Sequence, residues 1–265
     1  MTETCEIIDE GDRLVVVNRN PARRNALTPG FQTGLAEALR RAADLPRLGA
    51  VIVTGEGGFF CAGGDLSFLM RAQEMTEPER RAAIMDLAGL IRAVHDCPSP
   101  VIAAVEGGAA GAGLSLALAC DMIVAAEDAK FSAAYVSAGL VPDAGLTAAL
   151  TAALPPQLAA EMCLTGAPVA AARLHALGVV NRLVPPGTVL DVAREAASRL
   201  AQGPAEAQAA IKTLLTGARR ATLEAQFEAE AGAMARALGA PEAAEGIAAF
   251  LGKRPADFAA RRRGE

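Results

Sequence analysis

Twice along this chain an uninterrupted apolar run breaks into glycines, and the hydrophobic pattern then resumes at helical spacing. Gly49–Thr54 (GAVIVT) ends in Gly55-Glu56-Gly57-Gly58, and a second pair, Gly63-Gly64, precedes Asp65 and a new helical pattern. Pro100–Val105 (PVIAAV) runs into Gly107-Gly108-Ala109-Ala110-Gly111-Ala112-Gly113, and Leu114–Cys120 continues as a helix. Strands without polar alternation are buried on both sides, so two such units predict α/β layering with the strands covered on both faces. Leu14–Asn18 (LVVVN) and Met122–Ala126 (MIVAA) supply further strands. Thr28-Pro29 places a cap before a proline at the first helical position, followed by Phe31, Leu35, Ala38 and Leu39 at helical spacing. Glu77–Val94 reads as another helix.

From about Pro186 onward the texture changes to alanine-rich helical patterns over Val189–Leu200, Ala205–Leu215, Leu223–Leu238 and Glu242–Leu251, with Gly203-Pro204 as a boundary signal. The expected organisation is an α/β body over residues 1–200 and an all-helical region over 201–265. The 265 residues, 52% of them hydrophobic, suffice for a sizeable core and exclude a disordered chain. A net charge of −5 and 3% aromatic residues with no Trp argue against a nucleic-acid partner, which needs a dense basic face and stacking platforms. The five cysteines are odd in number, scattered and never in a C-x-x-C pair, which points to reduced thiols of a cytoplasmic protein. The acidic start MTETCEIIDEGDR lacks an apolar h-region, so no signal peptide is expected, and the longest glycine/alanine/leucine run, Gly107–Cys120, is too short to span a bilayer, so no membrane partner is expected.

The glycine loops are the first place to look for chemistry. Glycine lets a backbone N–H approach a ligand closely, and a helix N-terminus adds partial positive charge. Two such loops can aim two N–H groups at one developing oxyanion, each contributing about 2.7–4 kcal/mol of transition-state stabilisation; taken singly, either reads better as a tight turn that packs helix on strand. Other loop chemistries fail on spacing. Gly55-x-Gly57 reaches Phe60, and Gly111-x-Gly113 reaches Leu116, where a dinucleotide fingerprint needs glycine. No G-K-[ST] occurs, and Gly113-Leu114-Ser115 lacks the closing glycine of a nucleophile elbow. His95 and His175, the only histidines, have no ligand-spaced neighbours, so no metal site is expected; both read as surface or helix-end residues. Cys61 reads as a small buried side chain.

Taken together, these segments resemble the enoyl-CoA hydratase/isomerase (crotonase) family. Asn25-Ala26-Leu27 is similar to its N-A-L motif, Phe60-Cys61-Ala62-Gly63-Gly64-Asp65-Leu66 to F-x-A-G-x-D-[LI], and Pro100–Gly107 to P-V-I-A-A-V-x-G. Gly111–Asp121 resembles its glycine helix start and C-D strand, and Leu177–Asn181 and Phe250–Arg254 its late landmarks. Glu106 stands where the family commonly has Asn. The resemblance implies a spiral of ββα units followed by a helical trimerisation region, assembled as a homotrimer or dimer of trimers. It implies an acyl-CoA thioester as substrate, with coenzyme A part of that substrate and no separate cofactor. Carried over, the oxyanion donors are the N–H groups of Gly64 and Ala112. Arg23, Arg24, Ala62, Asp65, Leu66 and Lys253 fall at CoA-contacting positions, with Lys253 reaching a neighbouring subunit's nucleotide, and Phe68 falls in the acyl pocket.

The chain departs from the hydratase pattern of two glutamates. Aligned on the motifs, the first glutamate position is Ser115 and the second is Tyr135. Serine is far too weak a base, and a phenol ionises only near pH 10. One carboxylate remains, Asp143 in Gly139-Leu140-Val141-Pro142-Asp143-Ala144-Gly145, and this P-D-x-G form resembles the Asp-dependent enoyl-CoA isomerases. The expected function is therefore double-bond isomerisation with Asp143 as proton shuttle and Ser115 and Tyr135 in the pocket. Three alternatives stay open: a hydratase-like enzyme, an Asp143-nucleophile hydrolase or dehalogenase, and a non-catalytic acyl-CoA binder.

Overall fold

The computed structural model describes residues 4–45 and 48–263. Strand β1 (Cys5–Asp9) turns back antiparallel onto β2 (Arg13–Asn18). Helix α1 (Pro29–Ala43) starts where Thr28 accepts a hydrogen bond from the Phe31 N–H, and it buries Phe31, Leu35, Ala38, Leu39 and Ala42. After β3 (Ala50–Gly55) come α2 (Leu66–Ala72), capped by Asp65, and α3 (Glu77–Asp96), opened by a Thr76–Glu79 capping box.

Strand β4 (Val101–Val105) leads to a short strand β5 (Gly108–Ala110), helix α4 (Ala112–Ala119), β6 (Met122–Ala126) and β7 (Lys130–Ser132). Helices α5 (Leu146–Ala153) and α6 (Pro156–Thr165), strand β8 (Val169–Ala170), helix α7 (Ala171–Ala176), strand β9 (Arg182–Val184) and helix α8 (Val189–Ala201) follow. The main sheet runs β1-β2-β3-β4-β6-β9, parallel throughout except for β1, and a second sheet runs β5-β7-β8. Every side chain of β4 is buried, and because alternate residues face opposite sides, both faces of this strand are covered. Helix α8 packs on β2, β3, β4 and β6, and α1 packs on β1, β2 and β3.

Two departures from the sequence pattern have plain causes. The glycine run after β4 is not only a turn, because Gly108–Ala110 pairs in parallel with Lys130–Ser132. A side chain on Gly108 would collide with the Lys130 carbonyl, so the run is small in order to let the strands meet. The helix begins at Ala112 rather than Leu114, because the chain turns at Gly111 (φ +53°) directly after β5 and Ala112 and Gly113 are free to adopt helical backbone. Glu106 also gains a role: its Oε1 accepts the N–H groups of Gly187 (2.9 Å) and Val189 (3.3 Å), capping α8 where the chain crosses back over the sheet.

The chain breaks at Gln202–Pro204 and continues as α9 (Ala205–Ala218), α10 (Leu223–Leu238), α11 (Pro241–Leu251) and α12 (Phe258–Arg263). A buried lysine docks α9 on the body. Lys212 Nζ donates to the carbonyls of Val94 (2.9 Å) and Ser99 (3.2 Å) and pairs with Asp121 Oδ2 at 2.7 Å, the oxygen that also accepts the Val101 N–H. Among the described residues no helix is long and apolar enough to cross a membrane.

Candidate active site

Two loops converge because a third segment laces them. Asn25, buried and left-handed at φ +55°, accepts the Asn20 N–H and donates to the carbonyls of Glu56 and Phe59. Its neighbours continue the clasp: the Ala62 N–H donates to the Arg24 carbonyl (2.9 Å) and the Leu27 N–H to the Gly63 carbonyl (2.7 Å). The 61–64 segment is joined in turn to β5, with the Ala110 N–H donating to the Cys61 carbonyl at 2.9 Å. Gly63 (φ +95°) lies so close to the second loop that a Cβ there would stand 2.7 Å from the Ala110 carbonyl oxygen and 3.0 Å from the Ala112 nitrogen. The first and second glycine loops are therefore neighbours.

At this junction, among the described residues, two backbone donors have no protein acceptor. Ala112 is the first residue of α4, so its N–H has no intrahelical acceptor, and Gly111 before it turns through φ +53°. Among the described residues neither the Ala112 nor the Gly64 N–H donates to a protein acceptor. The earlier glycine group, Gly55–Gly58, forms a 3₁₀ turn and does not open the helix.

One turn into α4, the buried Ser115 places its Oγ 3.4 Å from Tyr135 Oη and 3.3 Å from the Asp143 carbonyl oxygen. Tyr135 sits in a 3₁₀ turn over Ala134–Ala138 that ends at the left-handed Gly139. Its hydroxyl donates to Asp143 Oδ1 at 2.7 Å. Its ring comes within 4.0 Å of where a Gly111 Cβ would lie, beside the Ala62 carbonyl and Gly63 Cα, so Tyr135, which holds the carboxylate, borders the junction of the two loops. Burial first, and the Asp143 charge second, push the Tyr135 phenol well above its ordinary value near 10, so it remains a donor. Asp143 is half-buried, and the left-handed pair Ala144 (φ +49°) and Gly145 (φ +79°) turns the chain sharply into α5 behind it.

Arg23 pairs with Asp65 Oδ1 (3.0 Å) and donates to Ser67 Oγ (2.7 Å), beside the first loop. The Arg24 guanidinium lies 5.6 Å from the centre of the Phe59 ring. Leu66 is exposed at the start of α2, and Phe68, on the same helix, is half-buried. Lys253 (φ +49°) is exposed in the turn after α11, and no hydrogen bond or ion pair of the described residues joins it to these loops. Cys61 is buried under α4, and burial pushes its thiol up to about 12, which disfavours the thiolate. His175 bonds the Val180 carbonyl at the end of α7, and His95 lies in the last turn of α3. Among the described residues no group of three or more His, Cys, Asp or Glu could hold a metal ion. The positioning parts, Asn25 as clasp and Glu106 as cap, were visible in sequence only as motif members without a stated task.

Unpaired amides on two neighbouring loops, with a tyrosine-bound carboxylate close to the second of them, are parts suited to holding a developing oxyanion and moving a proton beside it. A sequence profile described as enoyl-CoA hydratase/isomerase matches residues 14–261, and the chain belongs to that family. It is 33% identical over 257 residues to the 2,3-dehydroadipyl-CoA hydratase of Escherichia coli K12, covering 96% of this chain and 98% of that one. It is 32% identical over 252 residues to the 1,2-epoxyphenylacetyl-CoA isomerase of the same organism, covering 95% and 96%. The crystal structure of an enoyl-CoA hydratase from Polaromonas sp. JS666 superposes with a TM-score of 0.92 at 41% identity, covering 95% of this chain and 98% of that one. The chain is thus an acyl-CoA enzyme with the crotonase fold.

Proposed function

We propose that this enzyme isomerises the double bond of an enoyl-CoA, with Asp143 as the proton shuttle. The observation that carries the reading is the Tyr135–Asp143 hydrogen bond at 2.7 Å, with Ser115 and Tyr135 at the positions where, as the resemblance implies, a hydratase has its two glutamates. Asp143 takes a proton from C2 of a 3-enoyl thioester, the C–H electron pair delocalises into a dienolate, and the same proton returns at C4 to give the 2-enoyl thioester. The Gly64 and Ala112 N–H groups hold the dienolate oxygen. No electron leaves the substrate, so the chemistry needs no group beyond the coenzyme A that the substrate carries.

Arg23, Arg24, Ala62, Asp65 and Leu66 are proposed to contact the CoA and Phe68 to line the acyl pocket, a reading supported by the contacts of Arg23 with Asp65 and of Arg24 with Phe59 beside the first loop. The α9–α11 region exposes Leu215, Phe227, Met234, Phe250 and Leu251, a face that fits association into a homotrimer or dimer of trimers and would carry Lys253 toward a neighbour's CoA. Sedimentation of the wild type and of Phe250→Asp tests that assembly; a monomeric wild type refutes it.

The likeness to the 2,3-dehydroadipyl-CoA hydratase favours hydration as the second reading. One assay separates the two: turnover of 3-enoyl-CoA and of 2-enoyl-CoA by wild type and Asp143→Asn. Isomerisation that disappears in the variant, with little hydration by either, supports the proposal. Efficient hydration by both proteins, or equal isomerisation by both, refutes it. Label from oxygen-18 water found in Asp143 after turnover would instead identify a nucleophile, and binding without turnover of any acyl-CoA a non-catalytic member.

A further inference from the structure

We infer that Tyr135 is the positioning residue for this proton transfer: its hydroxyl engages Asp143 Oδ1 and leaves Oδ2 as the one carboxylate oxygen that takes and returns the proton. The inference rests on the isomerase reading of the site. It starts from a proton inventory. The phenol carries a single hydrogen and a carboxylate none, so the 2.7 Å contact is a donation from Tyr135 to Asp143. With that hydrogen committed, the Ser115 hydroxyl is the donor toward Tyr135 Oη or the Asp143 carbonyl, at 3.4 and 3.3 Å. The Asp143 carbonyl also accepts the Leu146 N–H at 3.0 Å, and Ala144 and Gly145 are both left-handed. Main chain and side chain are thus held from separate directions. Among the described residues Oδ2 has no protein partner.

The geometry matters because a single base removes the proton from C2 and returns it to C4 across one face of a planar dienolate. A carboxylate free to rotate offers either oxygen to either carbon, and each rotation gives the proton time to escape to water. A donor fixed on Oδ1 holds the carboxylate plane and presents the same oxygen at both ends of the transfer. Ser115 and Tyr135 also occupy the places from which glutamates would activate water in a hydratase, as the resemblance implies, so the device that orients the base leaves no second base for hydration. The burial of Tyr135 beside the Asp143 charge keeps the phenol protonated and able to serve.

Tyr135→Phe keeps the ring and removes only the hydroxyl. On a 3-enoyl-CoA carrying deuterium at C2, the wild type is expected to retain label at C4. The variant is expected to lose about 10- to 100-fold in kcat, the effect of a hydrogen bond to a charged group, with KM little changed and less label retained. A space-filling role predicts wild-type kcat and retention in Tyr135→Phe, and that result overturns the inference. Asp143→Asn run beside it separates the two claims. Full activity in Asp143→Asn defeats the isomerase reading, whereas a dead Asp143→Asn with an unaltered Tyr135→Phe defeats only the role of Tyr135. A readout independent of turnover exists because Tyr135 is the only tyrosine in a chain without Trp. Its emission should be quenched by the adjoining carboxylate and rise in Asp143→Asn; equal emission in the two proteins would show that the hydrogen bond is absent.

Discussion

Substituting Gly63 tests whether the two loops must touch for the chemistry to work. A methyl at this position would sit 2.7 Å from the Ala110 carbonyl oxygen, about 0.6 Å inside the ~3.3 Å at which carbon and carbonyl oxygen normally meet. It would also sit 3.0 Å from the Ala112 nitrogen, one of the two proposed donors. Both obstacles are main chain, so relief requires the 61–64 and 109–112 segments to part by a distance comparable to the ~0.5 Å tolerance of a preorganised site. Loss of one oxyanion donor lowers kcat by about 100- to 1,000-fold, or ~2.7–4 kcal/mol. Gly63→Ala is therefore expected to fall by that factor in 3-enoyl-CoA turnover while still folding. The positive φ adds a stability cost of about 1–3 kcal/mol. Gly178→Ala supplies the control, since Gly178 has φ +79° but nothing within 4 Å of its Cβ position. Thermal melts should show both variants destabilised, and only Gly63→Ala should lose turnover. Near wild-type kcat in Gly63→Ala would refute the claim that the two loops are held together for catalysis.

Three further outcomes are expected. The folded state raises the Tyr135 phenol above its unfolded value, so its contribution to stability is complete below about pH 10 and is lost as pH climbs beyond it. Urea unfolding between pH 9 and 11 should therefore fall less steeply in Tyr135→Phe, with Ser115 and Asp143 the groups that face the phenol; identical slopes would contradict its burial beside a charge. Lys212→Met leaves Asp121 without its buried partner and should cost about 3 kcal/mol in urea unfolding, the lower end for breaking a buried pair because Asp121 is 28% exposed. A loss under ~1 kcal/mol would mean that α9 docks without it. Cys61, buried and with its thiol pushed up to about 12, should resist alkylation in the native protein at pH 8, and rapid labelling would contradict the close packing of α4 on its loop.

The sequence was most legible where elements are long and buried. The continuous runs that became β3, β4 and β6 lie within a residue of where the apolar pattern puts them, because a strand covered on both faces excludes polar side chains. Strands β7, β8 and β9 are two or three residues long, too short to set a period, and they exist because partners already stand beside them. The candidate site shows the same division. Glycine spacing marks both loops, yet nothing local announces that Gly63 faces Ala110 or that Asn25 ties the loops together, since those contacts span tens of residues. Ser115, Tyr135 and Asp143 could be compared one by one with motif positions, but the hydrogen bond that makes them a unit comes from the fold of the 133–146 segment around α4.

The central claim is that the Gly64 and Ala112 N–H groups polarise one thioester carbonyl. Isotope-edited infrared spectroscopy of a saturated acyl-CoA, labelled with carbon-13 at that carbonyl and bound to the enzyme, reads this without turnover. Two converging donors weaken the C=O bond, so the account predicts a band shifted clearly below its frequency in free solution, with the shift reduced in Gly63→Ala. A bound carbonyl absorbing at its solution frequency would contradict the account.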